Sequence, residues 1–291
     1  MTPRVPDPSP GNDRVTVRES GFVETNGARL YYEVEGSGHP LLLIHGGLGS
    51  LRMWDAQVPA FARRYRVIRF DSRGFGRTET EDVEFSDRAD AAAVLDHVGA
   101  RSASVAGQSR GGMIALDFVL EYPARADALV SVASGVGGYS AELPEGASAP
   151  PFDEMERLWE AKEWADLAEL ETKVWVDGWG QPPTRVDSDV RRTVYDWILM
   201  NYRAEKIEAK PRALAPPAAQ RLKEVRVPTL VIVGGADEAR GVVAGRHLAA
   251  SISGARLVEL QGVAHMIQLE EPERFERLVL RFLEEVERSR G

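Results

Sequence analysis

A serine between two glycines is the feature of this sequence best suited to chemistry. Ser109 lies in the stretch Gly107-Gln108-Ser109-Arg110-Gly111, which follows a short apolar strand at 103–106 and precedes an apolar-periodic helix at 113–120. In a nucleophile elbow the serine sits on a sharp turn, where glycines allow strand and helix to approach closely. The stretch therefore predicts that Ser109 is a nucleophile. The alternative is a glycine-rich turn whose serine only caps the helix.

A serine nucleophile needs a base and an acid that orients the base. His265 follows the last predicted strand, and Asp237 follows the strand before it. Both positions lie at carboxyl ends of strands, where ligands gather in open α/β sheets, and the chain order Ser, Asp, His is typical of such folds. We predict that Asp237 and His265 are the partners of Ser109. The competitors are His45 for the base and Glu238 for the acid, and Asp237 has the alternative role of a turn or cap residue.

Two backbone amides are the candidates for binding the oxyanion of a tetrahedral intermediate. They are the N–H of Arg110, directly after the nucleophile, and the N–H of Gly47, in the loop after the third predicted strand. A glycine at position 47 lets the main chain approach the intermediate closely. The Arg110 side chain has two interpretations. Turned into the pocket, it would favour substrates that carry a carboxylate; turned away, it would be solvated or ion-paired.

The elements that position these residues are short apolar segments alternating with helical ones, and this alternation is typical of βαβ units. It predicts an α/β fold with a mainly parallel eight-stranded sheet flanked by helices. After the sixth strand the alternation gives way to helical segments. We expect a disordered tail at 1–19, a core domain at 20–134 and 227–291, and a helical cap inserted at 135–226. The predicted strands are 20–25, 29–35, 40–44, 65–70, 103–106, 126–133, 228–233 and 255–260.

Aromatic residues are concentrated in the predicted cap and could line a substrate pocket. Aromatic side chains at helical spacing more often pack in a core, which is the alternative here. The residues predicted to line the pocket are Met53, Trp54, Trp175 and Trp179.

The composition argues against several classes of protein. With 45 acidic and 36 basic residues the net charge is −9, which disfavours binding to nucleic acid or to an anionic membrane. The chain has no cysteine, so disulfides and thiolate catalysis are excluded. Its five histidines lack zinc-ligand spacing, and we expect no metal. Since no apolar run suits a signal peptide or a membrane span, we expect a cytoplasmic protein. A homodimer remains open.

Five stretches together carry a family resemblance. They are, in chain order, His45-Gly46-Gly47, Asp71-Ser72-Arg73-Gly74-Phe75-Gly76-Arg77-Thr78, Gly107-Gln108-Ser109-Arg110-Gly111, Gly234-Gly235-Ala236-Asp237 and Gly262-Val263-Ala264-His265. From about residue 20 onward the chain resembles the α/β-hydrolase superfamily, and within it the small-molecule esterase and lactonase branch that includes the 3-oxoadipate enol-lactonases. The resemblance implies a cap over the active site, an acyl-enzyme intermediate and no cofactor. Serine in place of aspartate at position 109 argues against the dehalogenase and epoxide hydrolase branches.

Two positions depart from the family pattern. Ala239 stands where a proline often follows the acid, and Arg110 stands where an apolar residue is frequent. The sequence as a whole predicts a serine hydrolase acting on a small carboxylic ester or lactone. The alternatives are a carbon–carbon bond hydrolase of the β-diketone type, an acyltransferase using the same residues, and a small-molecule receptor with little turnover.

Overall fold

A single mixed sheet forms the centre of the molecule. The computed structural model describes residues 17–204, 207 and 209–290. Across the sheet the strand order in this part of the chain is β1-β2-β4-β3-β6-β7-β8-β9, and β5 pairs with β2. Strand β2 is antiparallel to β1, β4 and β5, whereas the pairs from β4 to β9 are parallel. The bounds are β1 (Val17–Thr25), β2 (Ala28–Gly36), β3 (His39–Ile44), β4 (Tyr65–Phe70), β5 (Glu79–Thr80), β6 (Ala103–Gln108), β7 (Ala126–Val132), β8 (Thr229–Gly234) and β9 (Arg256–Leu260).

The central strands are buried on both faces, which explains their continuous apolar sequences. Every residue of β6, β7 and β8 is buried, as are the last four residues of β3. Ile44 pairs with Gly107, Gln108 pairs with Val132, and Val132 pairs with Ile232. This register brings the carboxyl ends of β3, β6, β7 and β8 to one edge of the sheet, so the loops that follow them are neighbours.

Helices cover both faces of the sheet. Apolar residues of α2, α3 and α7 form one core layer with the sheet, and those of α1 and α9 form the other. The bounds of the helices in the described residues are α1 (Val58–Phe61), α2 (Asp87–His97), α3 (Arg110–Glu121), α4 (Phe152–Glu160), α5 (Trp164–Trp175), α6 (Ser188–Arg203), α7 (Ala239–Ser251), α8 (Ile267–Glu270) and α9 (Pro272–Arg290). Within these ranges no helix is both long and apolar enough to cross a membrane.

The segment between β7 and β8, residues 133–228, is called the insertion below. It carries α4, α5 and α6, and a third apolar cluster joins it to the rest of the chain. In that cluster Val194 and Ile198 of α6 pack with Met53, from the loop after β3, and with Met266, from the loop after β9. The insertion therefore rests on the same edge of the sheet at which the strand ends meet.

The mainly parallel sheet with flanking helices agrees with the sequence prediction, with two differences. The sheet has nine strands rather than eight in the described residues, because the two-residue strand β5 pairs with Ala28 and Arg29. Strand β1 begins at Val17, so residues 17–19 of the expected tail belong to the sheet. Residues 1–16 lie outside the described residues. The insertion follows the sixth of the predicted strands, which is β7 when β5 is counted.

Candidate active site

Ser109 occupies a strained turn between β6 and α3. Its backbone has φ 54° and ψ −120°, a left-handed conformation that a serine adopts only where the surrounding structure holds it. A Cβ atom on Gly107 would overlap the carbonyl oxygen of Gly111, and one on Gly111 would overlap that of Ile44. Although Ser109 stands at the N-cap position of α3, its side chain makes no capping hydrogen bond. The helix-cap alternative for this serine is therefore wrong, and the turn has the geometry of a nucleophile elbow.

His265 and Asp237 are paired. The Nδ1 atom of His265 lies 2.8 Å from Oδ2 of Asp237, and both side chains are more than nine-tenths buried. The other carboxylate oxygen, Oδ1, accepts a hydrogen bond of 2.7 Å from the backbone N–H of Glu238. Because an ionised carboxylate can only accept a hydrogen bond, Nδ1 must carry the proton that it donates to Asp237. Nε2 of the neutral ring is then an acceptor. An imidazole in that state can act as a general base.

Glu238, the competitor for the acid, has a different partner. Its Oε2 accepts a 3.0 Å hydrogen bond from the N–H of Gly241, which makes it the N-cap of α7. The capping role considered for Asp237 thus belongs to its neighbour, and the Asp237 carboxylate faces the imidazole.

The other candidate histidine, His45, is bound to backbone groups. Its Nε2 accepts a 2.9 Å hydrogen bond from the N–H of Ser72, and its Nδ1 lies 2.7 Å from the carbonyl oxygen of Gly46. These contacts require the proton on Nδ1 and occupy the lone pair of Nε2. His45 therefore connects the loop after β3 to the loop after β4 and has no nitrogen left to serve as a base.

Gln108, directly before the nucleophile, joins two of the loops. Its buried side chain donates from Nε2 to the carbonyl oxygen of His265 at 3.1 Å. On the other side, a Cβ atom on Gly46 would overlap Oε1 of Gln108. The side chain therefore fills the space between the loop of Gly46 and the loop of His265. Sequence reasoning missed this role, and its only available signal was the position of Gln108 next to Ser109.

The loop after β9 is also held from the insertion. Arg185 donates from Nη1 to the carbonyl oxygen of Gly262 at 2.8 Å and forms an ion pair with Glu270. Oε1 of Glu270 in turn accepts a 3.0 Å hydrogen bond from the N–H of Ala264. The backbone on the N-terminal side of His265 is thus fixed by two charged side chains that the sequence analysis did not single out.

The turn after β4, which contains Asp71, has a structural role. The two carboxylate oxygens of Asp71 accept hydrogen bonds of 2.8 Å from the N–H groups of Leu51 and Arg77. A Cβ atom on Gly76 would overlap this carboxylate. Burial raises the pKa of Asp71, although the two backbone N–H groups oppose that shift. Asp71 therefore ties the end of the Gly47 loop to the turn after β4.

Gly47 borders an open cavity, called the Gly47 cavity below. No described atom lies within 4 Å of a Cβ atom placed on Gly47, and the residue is exposed. The cavity has a volume of about 660 Å³, and Ser109 and His265 are not among the residues that line it. Its wall includes Phe75 and, from the insertion, a cluster of three aromatic rings whose centroids lie 5.4–5.7 Å apart: Trp159, Trp164 and Tyr202. An apolar substrate group would find an aromatic surface here.

The four residues predicted to line the pocket have different positions. The ring of Trp175 lies 4.8 Å from that of His265, so this tryptophan is next to the candidate base. Trp54 is fully buried, 6.0 Å from the ring of Phe275 in the core, and Met53 is buried in the cluster under the insertion. Trp179 borders a separate cavity. None of the four lines the Gly47 cavity, because the aromatic wall comes from the α4–α5 turn and the end of α6.

The Arg110 side chain is ion-paired. Its Nη2 lies 2.7 Å from Oδ1 of Asp87, at the start of α2, and its guanidinium carbon lies 5.4 Å from the centroid of the Phe75 ring. Of the two interpretations of this side chain, the structure has the ion-paired one. Elsewhere in the described ranges, no group of three histidine or acidic side chains is arranged to hold a metal ion.

Known proteins resemble this chain in both sequence and structure. Residues 39–272 match the alpha/beta hydrolase fold family. A 2-hydroxy-6-oxononadienedioate/2-hydroxy-6-oxononatrienedioate hydrolase of Burkholderia vietnamiensis is 31% identical, over 88% of this chain and 91% of its own. The solved structure of Est816, an N-acyl homoserine lactone degrading enzyme, is 27% identical with a TM-score of 0.70, covering 90% of this chain and 99% of its own. The enol-lactonase of Burkholderia xenovorans shares the fold at 23% identity and a TM-score of 0.68, covering 89% and 97%.

The family match spans more than three quarters of the chain. It contains strands β3 to β9, the strained turn at Ser109 and the paired residues Asp237 and His265. This chain belongs to the alpha/beta hydrolase family.

Proposed function

We propose that this protein is a serine hydrolase that cleaves a small carboxylic ester or lactone through an acyl-enzyme intermediate. The nucleophile is Ser109, the base His265 and the orienting acid Asp237. The observation that carries the proposal is the 2.8 Å contact between His265 Nδ1 and Asp237 Oδ2, since it fixes the imidazole tautomer that accepts a proton at Nε2. The strained elbow at Ser109 supports the same assignment.

The reaction begins when Ser109 Oγ attacks the carbonyl carbon of the substrate and passes its proton to His265 Nε2. The resulting oxyanion accepts hydrogen bonds from the backbone N–H groups of Gly47 and Arg110. When the carbon–oxygen bond of the ester breaks, the leaving alkoxide takes the proton from His265. In a lactone the leaving oxygen remains attached to the acyl group.

Water completes the cycle. It attacks the acyl-enzyme carbonyl carbon while His265 Nε2 accepts one of its protons, and the second tetrahedral intermediate collapses to release the acid. Ser109 leaves as the alkoxide and recovers its proton from His265. Asp237 stays ionised throughout and stabilises the imidazolium that forms in each step.

The shape of the Gly47 cavity supports a small, largely apolar or aromatic substrate. Its volume of about 660 Å³ falls within the range of pockets for small molecules, and much of its wall is aromatic. The similarity to Est816, an N-acyl homoserine lactone degrading enzyme, favours a lactone as one form of that substrate.

A second candidate is hydrolysis of a carbon–carbon bond in a β-diketone-like compound. It is favoured by the Burkholderia vietnamiensis relative, whose name describes a hydrolase of 2-hydroxy-6-oxo dienedioates. The same three residues would serve, and the leaving group would be a carbanion rather than an alkoxide. An acyltransferase or a receptor has no comparable observation in its favour.

The test compares the native protein with Ser109→Ala. Each is assayed with p-nitrophenyl esters from acetate to benzoate, with an N-acyl homoserine lactone and with a 2-hydroxy-6-oxo dienoate. We expect ester or lactone turnover that disappears in Ser109→Ala. Cleavage of the dienoate alone would select the second candidate, and equal ester turnover by both proteins would exclude Ser109 as the nucleophile.

A further inference from the structure

A second cavity lies beside the Gly47 cavity, and Arg110 is at the boundary between them. This second cavity, called the Met113 cavity below, has a volume of about 330 Å³. Its wall combines apolar residues, among them Met113, Ile114, Pro211 and Leu214, with charged ones: Asp87, Arg88, Arg110, Asp117 and Arg212.

Backbone contacts place the two cavities side by side. Phe85 lines the Gly47 cavity, and Pro211 lines the Met113 cavity, yet these two residues form a parallel β-bridge. The N–H of Arg212 donates to the carbonyl oxygen of Phe85 at 2.7 Å. Ala209 and Pro211, two residues apart, line opposite cavities. One short segment of chain is therefore a wall that both cavities share.

The Arg110 side chain crosses the same boundary. Its guanidinium carbon lies 5.4 Å from the centre of the Phe75 ring, which lines the Gly47 cavity. Its Nη2 pairs at 2.7 Å with Asp87, which lines the Met113 cavity. Asp87 lies in the first turn of α2, where the helix dipole favours a carboxylate, so the anchor of the guanidinium is itself stabilised. The side chain is held between the two cavities by contacts on both sides.

One nitrogen of this guanidinium, Nη1, is buried without a hydrogen-bond partner among the described residues, which is an unfavourable state for a charged donor. An apolar residue could cover the same space without leaving a buried donor unpaired. The Phe75 ring and the Asp87 carboxylate fix the position of the Arg110 side chain. Arg110 itself forms part of the wall of the Met113 cavity.

We infer that the Arg110 side chain is a partition that limits the length of the acyl group this enzyme accepts. The inference rests on the proposed serine hydrolase function. The acyl group stays bonded to Ser109 in the acyl-enzyme, and the two proposed oxyanion donors belong to Gly47, which lines one cavity, and Arg110, which lines the other. With the partition in place, an acyl chain ends at the guanidinium. Without it, a longer chain continues along the apolar part of the Met113 cavity.

The test measures acyl-chain selectivity in Arg110→Ala, Arg110→Lys and the native protein. For each, kcat/KM for p-nitrophenyl decanoate is divided by kcat/KM for p-nitrophenyl butyrate, which cancels any loss common to both esters. Arg110→Ala removes the side chain beyond Cβ, and Arg110→Lys keeps a cation long enough to reach Asp87. We expect the ratio to rise about tenfold in Arg110→Ala, the selectivity gained when one or two further methylenes enter an apolar cavity, and to stay near the native value in Arg110→Lys.

An unchanged ratio in Arg110→Ala, or an equal rise in Arg110→Lys, would overturn the inference. If the native protein hydrolyses neither ester, the lactone and dienoate assays with Ser109→Ala decide the proposed function separately, and crystal structures of the native protein and Arg110→Ala decide whether this side chain divides the two cavities. One continuous cavity in the variant and two in the native protein would support the partition. Two separate cavities in both would refute it.

Discussion

Replacing Asp237 by asparagine tests whether this side chain, the proposed acid, decides which ring nitrogen of His265 carries the proton. The two carboxylate oxygens of Asp237 have different partners. Oδ2 faces His265 Nδ1, and Oδ1 accepts a hydrogen bond of 2.7 Å from the N–H of Glu238. In Asp237→Asn the amide oxygen must stay on the Glu238 side, because an amide nitrogen there would face another donor. The amide nitrogen then faces Nδ1, which becomes an acceptor, and the ring proton moves to Nε2. A protonated Nε2 cannot take the proton of Ser109.

We expect kcat to fall about 10,000-fold in this variant, equivalent to about 5 kcal/mol of activation free energy. The melting temperature should change little, since the amide has the shape of the carboxylate. The release of p-nitrophenol from the ester that the native protein hydrolyses fastest measures kcat, and calorimetry measures the melting temperature. The matched control is Glu238→Gln at the adjacent position, which keeps the α7 cap and should keep the native rate. A variant Asp237→Asn that retains more than about a tenth of the native kcat would refute the tautomer argument.

Three further outcomes are expected. Gly111→Ala should lose at least about 3 kcal/mol of unfolding free energy, because the added Cβ overlaps backbone atoms of Ile44 and His45. Gly47→Ala is the control and should melt near the native temperature. Equal melting temperatures of the two variants would contradict this prediction. Gln108→Ala should lower kcat about 100-fold with a smaller change in KM, by freeing the loop of His265, and unchanged kinetics would argue against this bridge. Burial raises the pKa of Glu171 on α5 to about 7 from its usual 4.5. Between pH 4.5 and pH 7 the folded state therefore keeps a proton that the unfolded state loses, and the unfolding free energy should fall by up to about 3 kcal/mol as the pH rises through this range. Urea titrations from pH 4 to 8 should show a weaker pH dependence of stability in Glu171→Gln.

The parts of the molecule that the sequence predicted are those encoded by local patterns. The central strands were recognised because burial on both faces requires unbroken apolar runs, as in β3 and β8. The pairing of Asp237 with His265 followed from their places after successive parallel strands, which end at one edge of the sheet. The two residues of β5 form no such run, and so this strand was missed.

Features that depend on distant contacts could not be predicted in this way. The Gln108 side chain binds a residue 157 positions away, and Arg185 reaches a carbonyl 77 positions away. Trp54 was expected at the pocket but packs in the core, because residue type alone does not distinguish the two environments for an aromatic ring. The aromatic wall of the Gly47 cavity arises from the ends of α4, α5 and α6, and α6 meets the other two only in the folded chain.

The contacts between the insertion and the site loops limit how this enzyme can be recombined with its relatives. Asn201 of α6 donates to the carbonyl oxygen of Leu48 at 3.1 Å, next to Gly47, while Arg185 holds the backbone before His265. The insertion therefore supports both the loop of Gly47 and the loop of His265, to which the proposed mechanism assigns the oxyanion and the base. A chimera that carries the insertion of another family member would exchange more than a substrate pocket, because it would lose two anchors of these loops. Productive grafting requires that residues 185 and 201, or their equivalents, be transferred together with the loops they bind.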